Sequence, residues 1–105
     1  MDWIEIIQLR TFTSQAKLAA REAFQQLSAP KQSDGLTRIA LFEGLGLEND
    51  LSIRLHWQGL QPKSGKSPLG CQLIEAFSEF GQIYHSGWIE IIEKTIEDWS
   101  HRHAN

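Results

Sequence analysis

A five-residue string near the start of the chain returns near its end, and this repeat limits the possible folds more than any other feature. Trp3-Ile4-Glu5-Ile6-Ile7 is repeated as Trp88-Ile89-Glu90-Ile91-Ile92. Both copies are β-branched and aromatic, with one carboxylate between apolar residues, which is typical of a strand with two unlike faces. If the two strands are neighbours, two tryptophans and two glutamates share one face of a sheet.

Apolar residues divide the chain into four strands and two helices. Alternation of apolar and polar residues predicts strands over 2–10, 36–43, 51–57 and about 83–93. Helical spacing predicts a first helix over 15–27, capped by Thr13 or Ser14, and a second that starts at Ser67-Pro68 and stops at Gly81. The order β-α-β-β-α-β is the ferredoxin-like arrangement of the α+β class.

The last segment of the chain admits two interpretations. Its apolar residues from Trp88 to Trp99 also match helical spacing, so a long terminal helix is the alternative to a strand. Tyr84, Gly87 and the β-branched run favour the strand, followed by a helical tail to about His103. We therefore expect a single domain over residues 1–93 and a short, partly helical tail over 94–105.

The ferredoxin-like topology gives the sheet order 4-1-3-2, with both helices on one face. The residues expected to pack on the helices are Ile4, Ile6, Ile53, Leu55, Ile89 and Ile91. The residues expected on the other face are Trp3, Glu5, Ile7, Leu9, Arg38, Ala40, Phe42, Ser52, Arg54, His56, Trp88, Glu90 and Ile92.

That helix-free face is too apolar to stay in water, because monomers rarely expose apolar patches of more than a few hundred Å². A second copy of the chain is the simplest cover for it. We therefore expect a homodimer through the helix-free sheet face, in which two sheets close face to face as a dimeric α+β barrel.

Several segments together carry a resemblance to a known superfamily. These are the stretch from Ser67-Pro68-Leu69-Gly70 to Phe80-Gly81-Gln82-Ile83-Tyr84-His85-Ser86-Gly87-Trp88, Trp3-Ile4-Glu5-Ile6, and Asp50-Leu51-Ser52-Ile53. They resemble small, uncharacterised bacterial proteins that are similar to the dimeric α+β barrel superfamily, which includes antibiotic-biosynthesis monooxygenases and haem-degrading enzymes. The resemblance covers residues 1–93 at the level of topology and implies the fold and the dimer.

The haem-degrading members of that superfamily use an asparagine, a tryptophan and a histidine carried on a helix. Here the first strand holds no asparagine, and His56 and His85 lie on or near predicted strands. Haem degradation is therefore not expected. The sequence indicates no other cofactor, and no His or Cys spacing matches a metal motif.

The polar residues of the helix-free face are candidates for a ligand site. Glu5, Glu90, Arg38, Arg54 and His56 could line a chamber whose apolar walls are the two tryptophans Trp3 and Trp88. In a catalytic interpretation, His56 or Glu5 is the acid–base group and Arg54 an anion clamp. In the structural interpretation, the same side chains form cross-strand ion pairs that fix the register of the dimer.

Composition narrows the remaining choices of partner and compartment. The net charge is −3 and the basic residues are scattered, so no nucleic-acid partner is expected. The single cysteine fits a reducing compartment, and no apolar run approaches a membrane span, so we expect a cytoplasmic protein without a membrane partner. Two functions stay open: a structural or small-ligand-binding module, which we favour, and a cofactor-free enzyme of the monooxygenase or isomerase kind.

Overall fold

A computed structural model describes residues 2–28 and 34–97 of the chain. In this part of the chain, four antiparallel strands form one sheet that packs against two helices. The strands are β1 Asp2–Thr11, β2 Leu36–Glu43, β3 Asp50–Gln58 and β4 Gly81–Ile89. The helices are α1 Ser14–Gln25 and α2 Pro68–Phe77, and the 3-10 turn Ser78–Phe80 joins α2 to β4.

The strands lie in the order β2-β3-β1-β4, which is the predicted order 4-1-3-2 read from the other edge. β1 is central and pairs antiparallel with both β3 and β4, while β2 pairs with β3. The predicted α+β class and ferredoxin-like topology are confirmed. Trp3 pairs with Ile89 and Ile4 with Trp88, so the two copies of the repeat begin as neighbours in the sheet.

Both helices begin where the sequence predicts a cap. The Thr13 hydroxyl accepts a hydrogen bond from the Ala16 backbone N–H at 3.0 Å. The Ser67 hydroxyl accepts one from the Gly70 N–H at 2.9 Å, and Pro68 occupies the first turn of α2. Each cap satisfies a backbone donor that the helix itself leaves unpaired.

The hydrophobic core lies between the sheet and the helices. Alternate residues of β1 and β3 contribute most of it, and α1 and α2 supply small and aromatic residues that fit against them. The buried apolar residues are Trp3, Ile7, Leu9, Ala20, Leu51, Ile53, Leu55, Trp57, Leu73 and Phe77. Full burial of each large side chain stabilises the fold by about 1.5–3 kcal/mol.

β1 turns the opposite face to the helices from the one predicted. Ile7 pairs with Ile53, and residues paired directly across two strands point to the same side of a sheet. Ile53 is fully buried under the helices, so the alternate residues of β1 on that side are the core residues. Those residues are Trp3, Glu5, Ile7 and Leu9. β1 is apolar on both faces, so its alternation does not decide which face is buried, whereas its register with β3 does.

β4 ends at Ile89, although the sequence predicts a strand to about residue 93. β1 begins at Asp2, and Trp3–Ile89 is the last pair, so the chain beyond Ile89 has no neighbouring strand among the described residues. Residues 90–95 have no regular structure, and residues 96–97 are helical. The alternative of a long helix from Trp88 is wrong, while most of the predicted helical tail lies outside the described residues.

Candidate functional site

Glu5, in the middle of β1, has a fully buried side chain at 0% exposure. Its carboxylate accepts hydrogen bonds from Trp57 Nε1 at 3.0 Å, from the Ser67 backbone N–H at 2.9 Å and from the Ser67 hydroxyl at 2.7 Å. A buried carboxylate without donors costs several kcal/mol, so these three bonds are what the core requires of it. They tie β1 to β3 and to the first turn of α2.

His85 of β4 completes the surroundings of this carboxylate. Its Nε2 lies 2.5 Å from Glu5 Oε2, and its side chain is only 5% exposed. In the register of β1 and β4, His85 faces Ile7 and Gly87 faces Glu5, so the contact is diagonal across the two strands. The Nε2 atom of His85 and the carboxylate of Glu5 thus form a buried acid–histidine pair, the combination that acid–base sites use.

Gly70 lets α2 approach this pair closely. A Cβ atom at Gly70 would lie 1.9 Å from Glu5 Oε2 and 2.9 Å from His85 Nε2, far inside van der Waals contact. Glycine at this position is therefore required by the carboxylate beneath it. At the start of α2 the backbone N–H of the capping residue Ser67 donates to Glu5, while the Gly70 N–H donates to the Ser67 hydroxyl.

A cleft beside this cluster is open to solvent. It has a volume of about 260 Å³, and its lining includes Trp3, Trp57, Ser67 and Leu69. The indole rings of Trp3 and Trp57 are stacked, with centroids 5.6 Å apart and planes inclined by 13°. Trp57 and Ser67, which line the cleft, both donate hydrogen bonds to Glu5. The walls of the cleft are therefore in direct contact with the buried acid.

The loop of residues 59–66 separates this cleft from a second one of about 190 Å³. Trp3 and Pro62 contribute to the walls of both clefts. The loop rests on β4 at Gly87, where an added Cβ would lie 2.5 Å from the Gly65 carbonyl oxygen. Gly59 and Gly65 have φ angles of 108° and 70°, the left-handed conformations that favour glycine.

The opposite side of the sheet carries no helix of the described ranges and shows a different surface. We call this the helix-free face, and its residues are Ile4, Ile6, Gln8, Arg38, Ala40, Phe42, Ser52, Arg54, His56, Tyr84, Ser86 and Trp88. Tyr84 and Trp88 are 63% and 59% exposed. The Arg54 guanidinium lies 4.6 Å from the centre of the Phe42 ring, and that of Arg38 lies 5.9 Å from it.

Two polar atoms on the helix-free face are buried without a hydrogen-bond partner among the described residues. They are Ser52 Oγ and His56 Nε2. A buried polar atom without a partner costs about 1–3 kcal/mol, so the chain does not satisfy the polar groups of this face as it does those under the helices.

The seven residues predicted to line one chamber are divided among three places. Arg38, Arg54, His56 and Trp88 lie on the helix-free face as expected. Trp3 and Glu5 lie under the helices, on the opposite side of the sheet. Glu90 follows the last residue of β4 and lies outside the sheet.

Glu5 and Arg54 do not form a cross-strand ion pair within one chain, because Arg54 pairs with Ile6 and points away from the helices. Glu5, Arg54 and His56 therefore cannot act together in one site of a single chain.

The partners of Glu5 that sequence reasoning misses are Trp57, Ser67 and His85. Local patterns identify Ser67 only as a helix cap and Trp57 only as one residue of an alternating strand. The missing signal is the register, because pairing Trp3 with Trp57 places Glu5 under the helices, where α2 begins. His85 needs the additional alignment of β4 against β1, which no local pattern supplies.

Residues 2–28 and 34–97 contain no group of three or more His, Cys, Asp or Glu side chains that could hold a metal ion. In the same part of the chain, no helix is long and apolar enough to cross a membrane.

The fold and the cluster under the helices define a ferredoxin-like α+β protein with a buried acid–histidine pair. Two solved structures share this fold. Rv0793 from Mycobacterium tuberculosis is 16% identical, with a TM-score of 0.64 over 90% of this chain and 100% of that one. A Deinococcus radiodurans protein, provisionally assigned as an antibiotic biosynthesis monooxygenase, is 18% identical, with a TM-score of 0.65 over 90% of this chain and 97% of that one.

These similarities confirm the resemblance in fold that the sequence predicts. At identities this low they establish the fold alone. No family model matches the sequence, and no curated protein matches it.

Proposed function

We propose that this protein is a homodimeric module that binds a small, flat, largely apolar ligand. The ligand lies in the cleft beside Trp3 and Trp57, on the helix side of the sheet. The observation that carries this proposal is the wall of the cleft, in which the stacked indole of Trp57 is hydrogen-bonded to the buried Glu5. Aromatic walls with a few fixed polar groups are typical of small-molecule sites.

The polar side chains that line the cleft are those of Asp34, Gln58 and Ser67, and they favour a ligand that carries a hydrogen-bonding group. Ser67 lines the cleft, and its hydroxyl is already engaged by Glu5 and by the Gly70 N–H. Pro62, Pro68, Leu60 and Leu69 supply apolar contacts around the opening. Within the described ranges no Lys or Arg lines this cleft, so charge attraction to an anion is not part of the proposal.

Binding is tested by NMR of the tryptophan indole N–H groups, with 2-naphthol as the probe. We expect the resonances of Trp3 and Trp57 to shift in a saturable titration while Trp88, on the helix-free face, does not move. If only Trp88 shifts, or no indole resonance moves at millimolar 2-naphthol, the proposed site is wrong.

Two exposed leucines provide a matched pair of variants for this titration. Leu60 is 99% exposed at the rim of the cleft, and Leu45 is 106% exposed on another loop. Leu60→Asp should weaken 2-naphthol binding about fivefold, which corresponds to the loss of about 1 kcal/mol of apolar contact. Leu45→Asp should leave the affinity unchanged, and equal effects of the two variants would contradict the assignment.

The exposure of large side chains on the helix-free face supports the homodimer. The exposed aromatic side chains of this face, Tyr84 and Trp88, are features of a surface that another protein covers. In this proposal Arg38, Arg54, His56 and Trp88 are interface residues rather than ligand contacts. A reducing, cytoplasmic location remains the expectation drawn from the single cysteine.

A second candidate function is acid–base catalysis, and the Glu5–His85 pair favours it. A buried carboxylate bonded to an imidazole is the arrangement that orients a general base. The test is the exchange of the C1 protons of 2-tetralone into deuterated water, followed by NMR. Faster exchange than in buffer, abolished by His85→Gln, would establish the activity, and exchange at the buffer rate would exclude it for this probe.

A further inference from the structure

We propose that residues 90–97, which we call the arm, lie across the helix-free face of a second copy of the chain. This inference rests on the proposed homodimer and deepens it, because it gives each chain a segment that its partner needs.

The arm begins with the three residues of the second repeat copy that lie outside the sheet. In the first copy, Glu5, Ile6 and Ile7 lie in the central strand, whereas in the second copy Glu90, Ile91 and Ile92 follow the end of β4. Ile91 and Ile92 are 85% and 75% exposed. Because burial of isoleucine side chains is favourable, an arm of this composition is stabilised by contact with an apolar surface.

Charge links the arm to the helix-free face. The arm carries three glutamates, Glu90, Glu93 and Glu97, against one lysine. The face carries Arg38 and Arg54, whose guanidinium groups rest on Phe42 and form no ion pair within the described residues. An acidic, isoleucine-rich segment therefore matches a surface made of arginine and aromatic rings.

The length of the arm fits the width of the sheet. When fully extended, a segment as long as residues 90–95 reaches about 20 Å, and four strands side by side are about 19 Å wide. A sheet face of this size offers roughly 600 Å² in projection. A standard specific interface buries about 800 Å² per partner. Each chain buries its arm as well as its sheet face, which brings the buried area of the dimer into this range.

Charge reversal tests the inference, because the arm and the face belong to the same chain. One variant reverses the arm, Glu90→Lys with Glu93→Lys, and the other reverses the face, Arg38→Glu with Arg54→Glu. Each should dimerise at least tenfold more weakly than the wild type, because every arm then meets a face of its own sign. In a heterodimer of the two variants both arms meet a face of opposite sign, so the two variants should associate with each other more tightly than either does with itself.

Sedimentation velocity with one variant fluorescently labelled separates the possible outcomes. Restored association in the mixture, weakened at about 1 M salt where ion pairs are screened, supports the arm. Homodimers of both variants as tight as the wild type would overturn the arm and leave the dimer standing. A wild type that is monomeric at all concentrations would overturn the homodimer itself. As a control, Glu22→Lys with Glu75→Lys reverses two helix charges away from the face and should not change dimerisation.

Discussion

The two faces of the sheet differ in how completely the chain satisfies its own polar groups. On the helix side, the buried carboxylate of Glu5 receives hydrogen bonds from Trp57, Ser67 and His85. On the helix-free face, Ser52 Oγ and His56 Nε2 are buried without a partner among the described residues, and Trp88 is more than half exposed. The same four strands thus carry one face whose buried acid has hydrogen-bond partners and one face with unpartnered polar atoms and exposed aromatic side chains.

This difference separates two roles that the sequence pattern places in one chamber. The helix side is organised around one buried acid, and its cleft is suited to a small molecule. The helix-free face is broad, cationic and aromatic, and is suited to a second copy of the chain. Substitutions on the two sides test this separation, and the largest effect is expected where α2 meets Glu5.

Gly70→Ala should destabilise the chain more than any other single substitution at this cluster. The new methyl group would lie 1.9 Å from Glu5 Oε2, so α2 must move away from the sheet or the carboxylate must lose its partners. We expect a loss of about 3 kcal/mol in the free energy of unfolding, measured by urea denaturation. Gly46→Ala is the control, since no described atom lies within 4 Å of its added Cβ. Equal stability of the two variants would contradict the close approach of α2 to Glu5.

Glu5→Gln should cost about 2 kcal/mol, although it preserves the shape of the side chain. The amide NH2 group would face the donors of Ser67, Trp57 or His85, so at least one buried bond is lost. Urea denaturation measures this loss, and Glu22→Gln on the exposed side of α1 should leave the stability within about 0.5 kcal/mol of the wild type. Unchanged stability of Glu5→Gln would mean that the carboxylate is not needed in the core.

The two strand histidines should respond differently to truncation. His85→Ala removes a buried partner of Glu5 and should destabilise the chain by about 1.5 kcal/mol. His56→Ala removes an atom that has no hydrogen bond within the described residues, so it should cost less in the monomer. Thermal unfolding of both variants at a low protein concentration compares them directly. A larger effect for His56 would reverse the distinction between the two faces.

The smallest effect should come from the Lys17–Glu43 ion pair, which joins α1 to β2. The hydrogen bond and charge of Lys17 lower the pKa of Glu43 below its ordinary value. A lowered pKa in the folded state adds stability at neutral pH that is lost as the pH falls through that value. Glu43→Gln should therefore narrow slightly the difference in melting temperature between pH 7 and pH 3. The effect is small because Glu43 is 57% exposed, and a wider difference in melting temperature would contradict a stabilising ion pair.

The topology was predictable from local patterns, and the caps show why. Thr13 and Ser67-Pro68 are local signals, and each marks the start of a helix correctly. The clear alternation of β3 places Leu51, Ile53, Leu55 and Trp57 on one face, and the structure buries all four.

The site was not predictable in the same way, because it depends on register. β1 has Trp3 and Ile7 on one face and Ile4 and Ile6 on the other, so hydrophobicity alone does not choose between them. If Trp3 and Ile7, rather than Ile4 and Ile6, are assigned to the helix side of β1, Glu5 lies in the core and not in the predicted ligand chamber. His85 approaches Glu5 only through the diagonal pairing of β4 with β1, which joins residues far apart in sequence.

Sedimentation equilibrium of the wild type beside Ile6→Glu tests the difference between the two faces most directly. Ile6 lies at the centre of the helix-free face, between Arg54 and Ser86 on the neighbouring strands. We predict that the wild type has twice the 12.0 kDa chain mass at micromolar concentration, that Ile6→Glu is a folded monomer, and that the helix-side control Leu18→Glu remains a dimer. A monomeric wild type, or an Ile6→Glu variant that dimerises as tightly as the wild type, would contradict the assignment of the helix-free face to a second copy of the chain.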